Sequence, residues 1–251
     1  MNESEPPLPR NDQKQLRAID AIGTLRESTA SPPALSAERT AISLAGYFKE
    51  GGSALRYDTI VDYGIAVLAR QRTEEATIKE FETFEHPPMY IEGKQVLRAM
   101  VSAYGTRIET CVKVSEKWVC VRGGLGIWLP SAILAKIDGK RRFVIIQPRR
   151  SCQGVKTRPS LYLSLFNLYH SIEDNRDVSA EVLDLQCPHG ATVRPRNFIH
   201  SEHVSALTKQ TVDTTLAVYA DAMELILKEP KRFGIGADWA ESAQQEFELR
   251  W

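Results

Sequence analysis

Four residues with zinc-ligating side chains lie within seventeen positions in the C-terminal third of the sequence. Cys187 and His189 form a Cys-x-His pair, and His200 and His203 form a His-x-x-His pair. Four such ligands in tetrahedral geometry make a closed, structural zinc site. The spacing differs from common zinc-finger patterns, and the proline and asparagine between the pairs are typical of a loop. The sequence leaves two interpretations, a structural zinc site and a loop without metal.

The densest group of basic residues has the chemistry to bind phosphate. Its members are Arg141, Arg142, Arg149, Arg150, Lys156 and Arg158. Arginine can make two parallel hydrogen bonds to a phosphate, and phosphate contacts dominate affinity for nucleic acids. The alternative is a solvated loop beside a strand. The chain has 32 basic and 32 acidic residues, so it has no overall attraction for a polyanion.

These residues flank the part of the chain with the clearest strand and turn signals. Strands are predicted over residues 107–114, 117–122, 126–129, 132–137, 141–147 and 180–185, with a helix over 161–172. Asp138-Gly139 predicts a tight hairpin turn. A two-residue loop at Ser115-Glu116 would place Cys111 opposite Cys120 in a second hairpin. We expect these two thiols to be reduced and packed as small hydrophobic groups.

Helical patterns lie on both sides of this region. Helices are predicted to start after Ser36, which is an N-cap residue, and after Asp58, and to cover 73–85, 93–104 and 204–228. We predict three parts: a flexible N-terminal arm over 1–35 with one short docked helix, a globular domain over 36–228, and a tail over 229–251.

Composition favours a soluble protein. Of the 251 residues, 43% are hydrophobic and 25% are charged, which is close to the average for globular chains. No apolar run approaches the roughly 18 residues that span a bilayer. The acidic start is unlike a signal peptide, and four scattered cysteines do not suit a secreted disulfide scaffold. We expect an intracellular protein, cytoplasmic or nuclear, that does not contact a membrane.

The predicted order of elements is helices, a strand pair, strands joined by tight turns, a helix, a strand and a closing helix. Over roughly residues 57–228 this order resembles the restriction-endonuclease-like core of the PD-(D/E)XK superfamily, especially its RecB-type exonuclease branch. The resemblance implies an α/β (α+β) fold with a mixed central sheet of about five strands flanked by helices.

The family's metal-binding motif differs in this sequence. In the family, a Gly-x-x-Asp-like segment is followed one strand later by Asp/Glu-x-Lys, and then by a helix. The corresponding segments here are residues 122–128, 143–150 and 160–169. Gly126 or a neighbour takes the first acid position, and Gln147-Pro148-Arg149 stands in place of Asp/Glu-x-Lys. Glutamine is a weaker ligand for Mg²⁺ than carboxylate, and arginine keeps its proton. The resemblance therefore implies that the usual metal-dependent hydrolysis is absent.

We expect a catalytically inactive nuclease-like domain, without a cofactor, that binds nucleic acid or a protein partner. The predicted contact residues are Arg149, Arg150, Lys156 and Arg158. One alternative is a Mg²⁺-dependent nuclease with relocated acids, for which Glu109, Asp138 and Asp184 are the candidates. Another is an interaction protein whose termini contact a protein partner.

Overall fold

The computed structural model describes residues 18–30, 34–49, 57–83, 87–149, 158–170, 178–188 and 190–236. The helices are α1 (Ala18–Thr24), α2 (Ala37–Lys49), α3 (Tyr57–Leu68), α4 (Glu74–Phe81), α5 (Pro87–Tyr104), α6 (Pro159–His170) and α7 (Lys209–Lys228). Two 3₁₀ helices cover Ser201–His203 and Pro230–Phe233. The strands are β1 (Ile108–Val114), β2 (Lys117–Arg122), β3 (Leu125–Leu129), β4 (Ala132–Ile137), β5 (Lys140–Gln147), β6 (Ser179–Asp184) and β7 (Asn197–His200).

A mixed five-stranded sheet forms the centre, with the strand order β1-β4-β5-β6-β7. The pairs β1/β4, β4/β5 and β6/β7 are antiparallel, whereas β5 and β6 are parallel and are joined through α6. The predicted fold class, a mixed sheet of about five strands flanked by helices, is confirmed. The predicted hairpin turn is also confirmed, since Asp138 and Gly139 have positive φ angles of 49° and 79°.

The predicted hairpin between β1 and β2 is wrong. Cys111 pairs with Ala135 of β4, and Cys120 pairs with Gly126 of β3. Strands β2 and β3 form a separate two-stranded sheet. The Gly123-Gly124 turn between them has φ angles of 54° and 71°, the left-handed values that a tight turn needs. Ser115-Glu116 therefore links the two sheets, and the two cysteines are not cross-strand neighbours.

Each face of the central sheet packs against its own group of helices. On one face, Phe143 and Ile145 of β5 join a core with α1, α2, α6, α7 and the β2–β3 hairpin. On the other face, Val144 and Ile146 join a core with α3 and α5. Because side chains alternate along a strand, neighbouring residues of β5 and β6 point into different cores. This alternation decides which polar residues meet at the ends of these strands.

The hydrophobic core also contains residues that precede and follow the predicted domain over residues 36–228. Ala21 and Ile22 of α1 are 1% exposed, and Phe233 and Ile235 near the C-terminus are each 6% exposed. All four belong to the core that contains α2 and α7. Within the described ranges, no helix is both long and apolar enough to cross a membrane.

Candidate functional site

The side chain of Gln147, which the resemblance compares with a metal-binding acid, lies at the carboxyl end of β5. Gln147 is 1% exposed. Its Oε1 accepts a hydrogen bond from the backbone N–H of Arg149 at 2.9 Å, and its Nε2 donates to the carbonyl of Arg149 at 3.1 Å. A longer contact of 3.4 Å joins Nε2 to Oδ1 of Asp184. Both ends of the amide are therefore engaged within the protein.

Asp184 lies beside Gln147 because β5 and β6 are parallel and in register at this point. Its Oδ1 accepts from the backbone N–H of Gln186 at 3.2 Å, and its Oδ2 accepts from the Gln186 side chain at 3.0 Å. This carboxylate is 7% exposed. Its hydrogen bonds are those of a residue that ends a strand and orders the following turn.

A small cleft of about 40 Å³ opens at this end of β5. That volume has room for about three water molecules or one small group. It is lined by Tyr57, Val61, Asp62, Pro130, Ser131, Ile146, Gln147, Pro148, Arg149 and Tyr162. Burial, and then the neighbouring Glu92 carboxylate, raise the pKa of Tyr57, so its hydroxyl stays a neutral donor. The residues around the cleft thus include two tyrosines, a serine, an aspartate and an arginine.

A buried ion pair, Arg194 with Glu92, contacts residues that line the cleft. The side chain of Arg194 is fully buried, and its guanidinium donates to Glu92, to the carbonyl of Leu185 at 3.0 Å, and to the carbonyl of Pro148. Glu92 also accepts from the Tyr57 hydroxyl at 3.2 Å. Two cleft residues, Tyr57 and Pro148, are therefore positioned by one arginine that does not line the cleft.

The structure describes two of the four residues that are predicted to contact phosphate, Arg149 and Arg158. Arg149 lines the cleft and is half-buried. Arg158 immediately precedes α6, and its Nη2 lies 3.5 Å from Oε1 of Glu27. Arg150 and Lys156 lie outside the described residues.

The three acids proposed as a relocated metal site do not come together. Glu109 pairs with Lys136 at 2.5 Å and accepts from the Gly139 backbone, and Asp138 pairs with Arg107 at 2.6 Å. Both lie near the β4–β5 turn, whereas Asp184 is at the opposite end of β5 and β6. In the part of the chain that the structure describes, no three His, Cys, Asp or Glu residues are grouped to hold a metal ion.

Gly126, which the sequence interpretation matched to the family's first acid, lies in the separate β2–β3 hairpin and not in the central sheet, and it has no space for a side chain. A Cβ atom at this position would overlap the indole of Trp118 and the carbonyl oxygen of Val119. The two indoles of Trp118 and Trp128 pack 5.2 Å apart across this hairpin. A carboxylate at residue 126 would therefore require the hairpin to separate.

The proposed zinc ligands are divided between the two ends of β6. Cys187 is buried and follows the carboxyl end of β6, whereas His200 pairs with Glu181 near the start of the same strand. His203 lies close to His200, with 5.3 Å between their ring centres. His189 lies outside the described residues. The structure therefore brings two of the four proposed ligands together and places Cys187 away from them.

One polar cluster was missed by the sequence interpretation. Glu181 is 3% exposed, and its Oε1 accepts from the hydroxyl of Tyr104. Its Oε2 lies 2.9 Å from Nη1 of Arg142 and 2.7 Å from Nδ1 of His200. Burial, and then the Glu181 charge, raise the pKa of Tyr104 well above its usual value, so the phenol remains a donor. The cluster satisfies a carboxylate within an otherwise apolar layer.

A signal for this cluster was present in the sequence. Glu181 stands in the run Ala180-Glu-Val-Leu, where the neighbours are apolar, and a charged residue within a buried strand needs partners. The partners themselves are 39 and 77 positions away for Arg142 and Tyr104, so only the fold identifies them. No protein-family model, curated protein or solved structure matches this chain.

Proposed function

We propose that this chain is a catalytically inactive nuclease-like domain that binds nucleic acid at the cleft end of β5. The proposal is based on the burial and the hydrogen bonds of Gln147. This residue stands where the family places a metal-binding acid, and its amide is buried and bonded to the Arg149 backbone.

The order of elements supports the resemblance on which the proposal depends. Helix α5 is followed by β1, β4 and β5 in one antiparallel run, with the β2–β3 hairpin inserted between β1 and β4. The chain then crosses through α6 to β6, which is parallel to β5, and α7 closes the domain. This succession of strands, helix and strand is what supports the resemblance, with β1 paired to β4 in place of the expected β1–β2 hairpin.

The environment of Gln147 favours an amide over a carboxylate. Replacement by glutamate would remove the Nε2 donor that contacts the Arg149 carbonyl and Asp184. It would also place two carboxylates side by side in a buried position, where like charges repel strongly. The local structure is thus adapted to the neutral side chain, and a metal ligand at this position is not needed to explain it.

Arg149 and Arg158 are the described residues that we assign to phosphate contact. Arg149 lines the cleft together with the buried Tyr57 and Tyr162 and with Asp62, whose carboxylate pairs with Lys113 at 2.7 Å, and its half-buried guanidinium supplies a charge for a phosphate group. The side chain of Arg158 is 27% exposed, and its 3.5 Å pair with an exposed Glu27 is the kind of surface pair that a phosphate can displace at little cost.

Binding to labelled single- and double-stranded DNA and RNA, measured by fluorescence anisotropy at 50 and 200 mM salt, tests the proposal. We expect binding that weakens steeply with salt, because each phosphate contact releases counterions. Arg149→Ala and Arg158→Ala should each weaken binding and reduce the salt slope. The control is Arg107→Ala, which removes an equal charge at the opposite end of β5.

The same samples distinguish the two alternatives. Cleavage in Mg²⁺ or Mn²⁺ that is lost on replacing Glu109, Asp138 or Asp184 would overturn the inactive-domain proposal and support relocated acids. No nucleic-acid binding at 50 mM salt would overturn the nucleic-acid proposal and leave the protein-interaction class.

A further inference from the structure

Two histidines meet at the outer edge of the central sheet, away from the cleft. His200 is the last residue of β7, and the 3₁₀ helix Ser201–His203 brings His203 back beside it. Their ring centres are 5.3 Å apart, and the ring planes meet at 82°. The His200 side chain is 25% exposed and His203 is exposed, so an ion from solvent can reach both rings.

His200 is held in one orientation by a buried carboxylate. Its Nδ1 is 2.7 Å from Oε2 of Glu181, whose side chain is only 4% exposed. Nη1 of Arg142 is 2.9 Å from the same oxygen and 2.9 Å from Nδ1, so the three atoms form a nearly equilateral triangle. Two donors therefore share one acceptor. Nδ1 faces the carboxylate oxygen and is the nitrogen that donates to it, which leaves Nε2, on the other side of the ring, as the nitrogen that can bind an ion.

A histidine whose second nitrogen donates to a carboxylate is the usual arrangement of a metal-binding histidine. The carboxylate fixes the tautomer and makes the free nitrogen a better ligand. Glu181 is itself fixed by Tyr104 and Arg142, so the orientation of His200 is determined before any ion arrives.

The distance between the two rings agrees with tetrahedral coordination. With a metal–nitrogen bond of about 2.05 Å and a nitrogen about 1.15 Å from its ring centre, two imidazoles at the tetrahedral angle have centres about 5.2 Å apart. The observed separation is 5.3 Å.

We propose that His200 and His203 bind one Zn²⁺ ion at the edge of β7, with Glu181 as the positioning residue. This site differs from the four-ligand site suggested by the sequence, because Cys187 lies at the other end of β6. The described residues supply no third ligand of the His, Cys, Asp or Glu type. Water or a group from another molecule completes the coordination, which makes this an open site.

Zinc binding by tag-free protein, first treated with chelator, is measured by calorimetry, and Co²⁺ absorption reports tetrahedral geometry. We expect one ion per chain, loss of that ion in His203→Ala, and no change in His170→Ala, a histidine of α6. His203 is exposed, so its replacement leaves the fold intact, which circular dichroism verifies. Bound zinc should also raise the Tm of the wild type but not that of His203→Ala.

The Glu181→Gln variant distinguishes a zinc site that Glu181 positions from two histidine rings that only pack against each other. Loss of such a positioning carboxylate should weaken zinc binding 10- to 100-fold. Ring packing alone would also bring two histidines to this separation, but it would give no high-affinity ion and no dependence on Glu181. Equal zinc affinity in the wild type and His203→Ala, or in the wild type and a folded Glu181→Gln variant, would overturn the proposal.

Discussion

Replacing Arg194 with alanine is expected to destabilise the protein severely, although the residue lies in a loop. The side chain of Arg194 is 0% exposed, and it donates to Glu92, Pro148 and Leu185. Its removal leaves Glu92, which is 7% exposed, as a buried charge with Tyr57 as its remaining neighbour in this network. Breaking a buried pair by removing one partner costs about 3–5 kcal/mol. That is a large fraction of the roughly 5–15 kcal/mol that stabilises a typical domain.

Urea unfolding measures this loss directly, and a nearby arginine provides a matched control. Arg196 lies two positions further along, is exposed, and donates to the carbonyl and hydroxyl of Ser102. Its replacement by alanine should change the free energy of unfolding by no more than about 0.5 kcal/mol.

A double replacement tests the cause of the loss. If uncompensated charge is responsible, Arg194→Met combined with Glu92→Leu should be more stable than Arg194→Ala, because both buried charges are gone. Uncompensated charge is not the cause if the free energies of unfolding of Arg194→Ala and Arg196→Ala differ by less than about 1 kcal/mol. The same holds if the double variant is the least stable of the set.

Three further outcomes are expected. Gln147→Glu should lower the free energy of unfolding by about 1–3 kcal/mol, and by more at pH 8 than at pH 5, because the new buried carboxylate faces Asp184. The ion pair of Glu109, and then its bond from a backbone N–H, lower the pKa of this carboxyl below 4.5. Its stabilising effect is thus present at neutral pH and lost as the pH falls through the lowered pKa. Wild type and Glu109→Gln should converge in acid denaturation curves. Alkylation should modify the exposed Cys120 before Cys111, because burial raises the pKa of the Cys111 thiol; mass spectrometry of timed samples determines the order.

Local chemistry made several elements predictable from the sequence. The Ser36 hydroxyl accepts from the backbone N–H of Arg39 at 3.3 Å, as an N-cap residue should. The start of α7 was predicted too early, because Thr208 caps it and accepts from Thr211 at 3.2 Å. The start of α5 was predicted too late. Prolines fit the first turn of a helix, where no backbone donor is needed, and α5 begins at Pro87.

Strand pairing was harder to predict because it depends on competition between distant partners. The two-residue loop at Ser115-Glu116 predicted that β1 pairs with β2, yet β1 pairs with β4, whose partner residues lie 18 (Val114 with Ala132) to 29 (Ile108 with Ile137) positions later in the chain. Ser115-Glu116 lacks the glycine or asparagine that a tight hairpin turn favours, whereas Gly123-Gly124 and Asp138-Gly139 have them. The best turn sequences therefore decided which strands became hairpin neighbours.

The polar residues at the two candidate sites also join β5 to β6. Replacing one of them can therefore change folding as well as ligand binding. Gln147 contacts Asp184 on the sheet face that carries α6, and Arg142 contacts Glu181 on the face that carries α5. A shift of β6 by one residue would move Asp184 and Glu181 into the opposite apolar core, away from their partners on β5. Replacing them therefore changes stability as well as any ligand binding, so a variant such as Glu181→Gln is compared only after its fold has been verified. Arg149 and His203, which lie outside this pairing, are the residues whose replacement separates binding from folding.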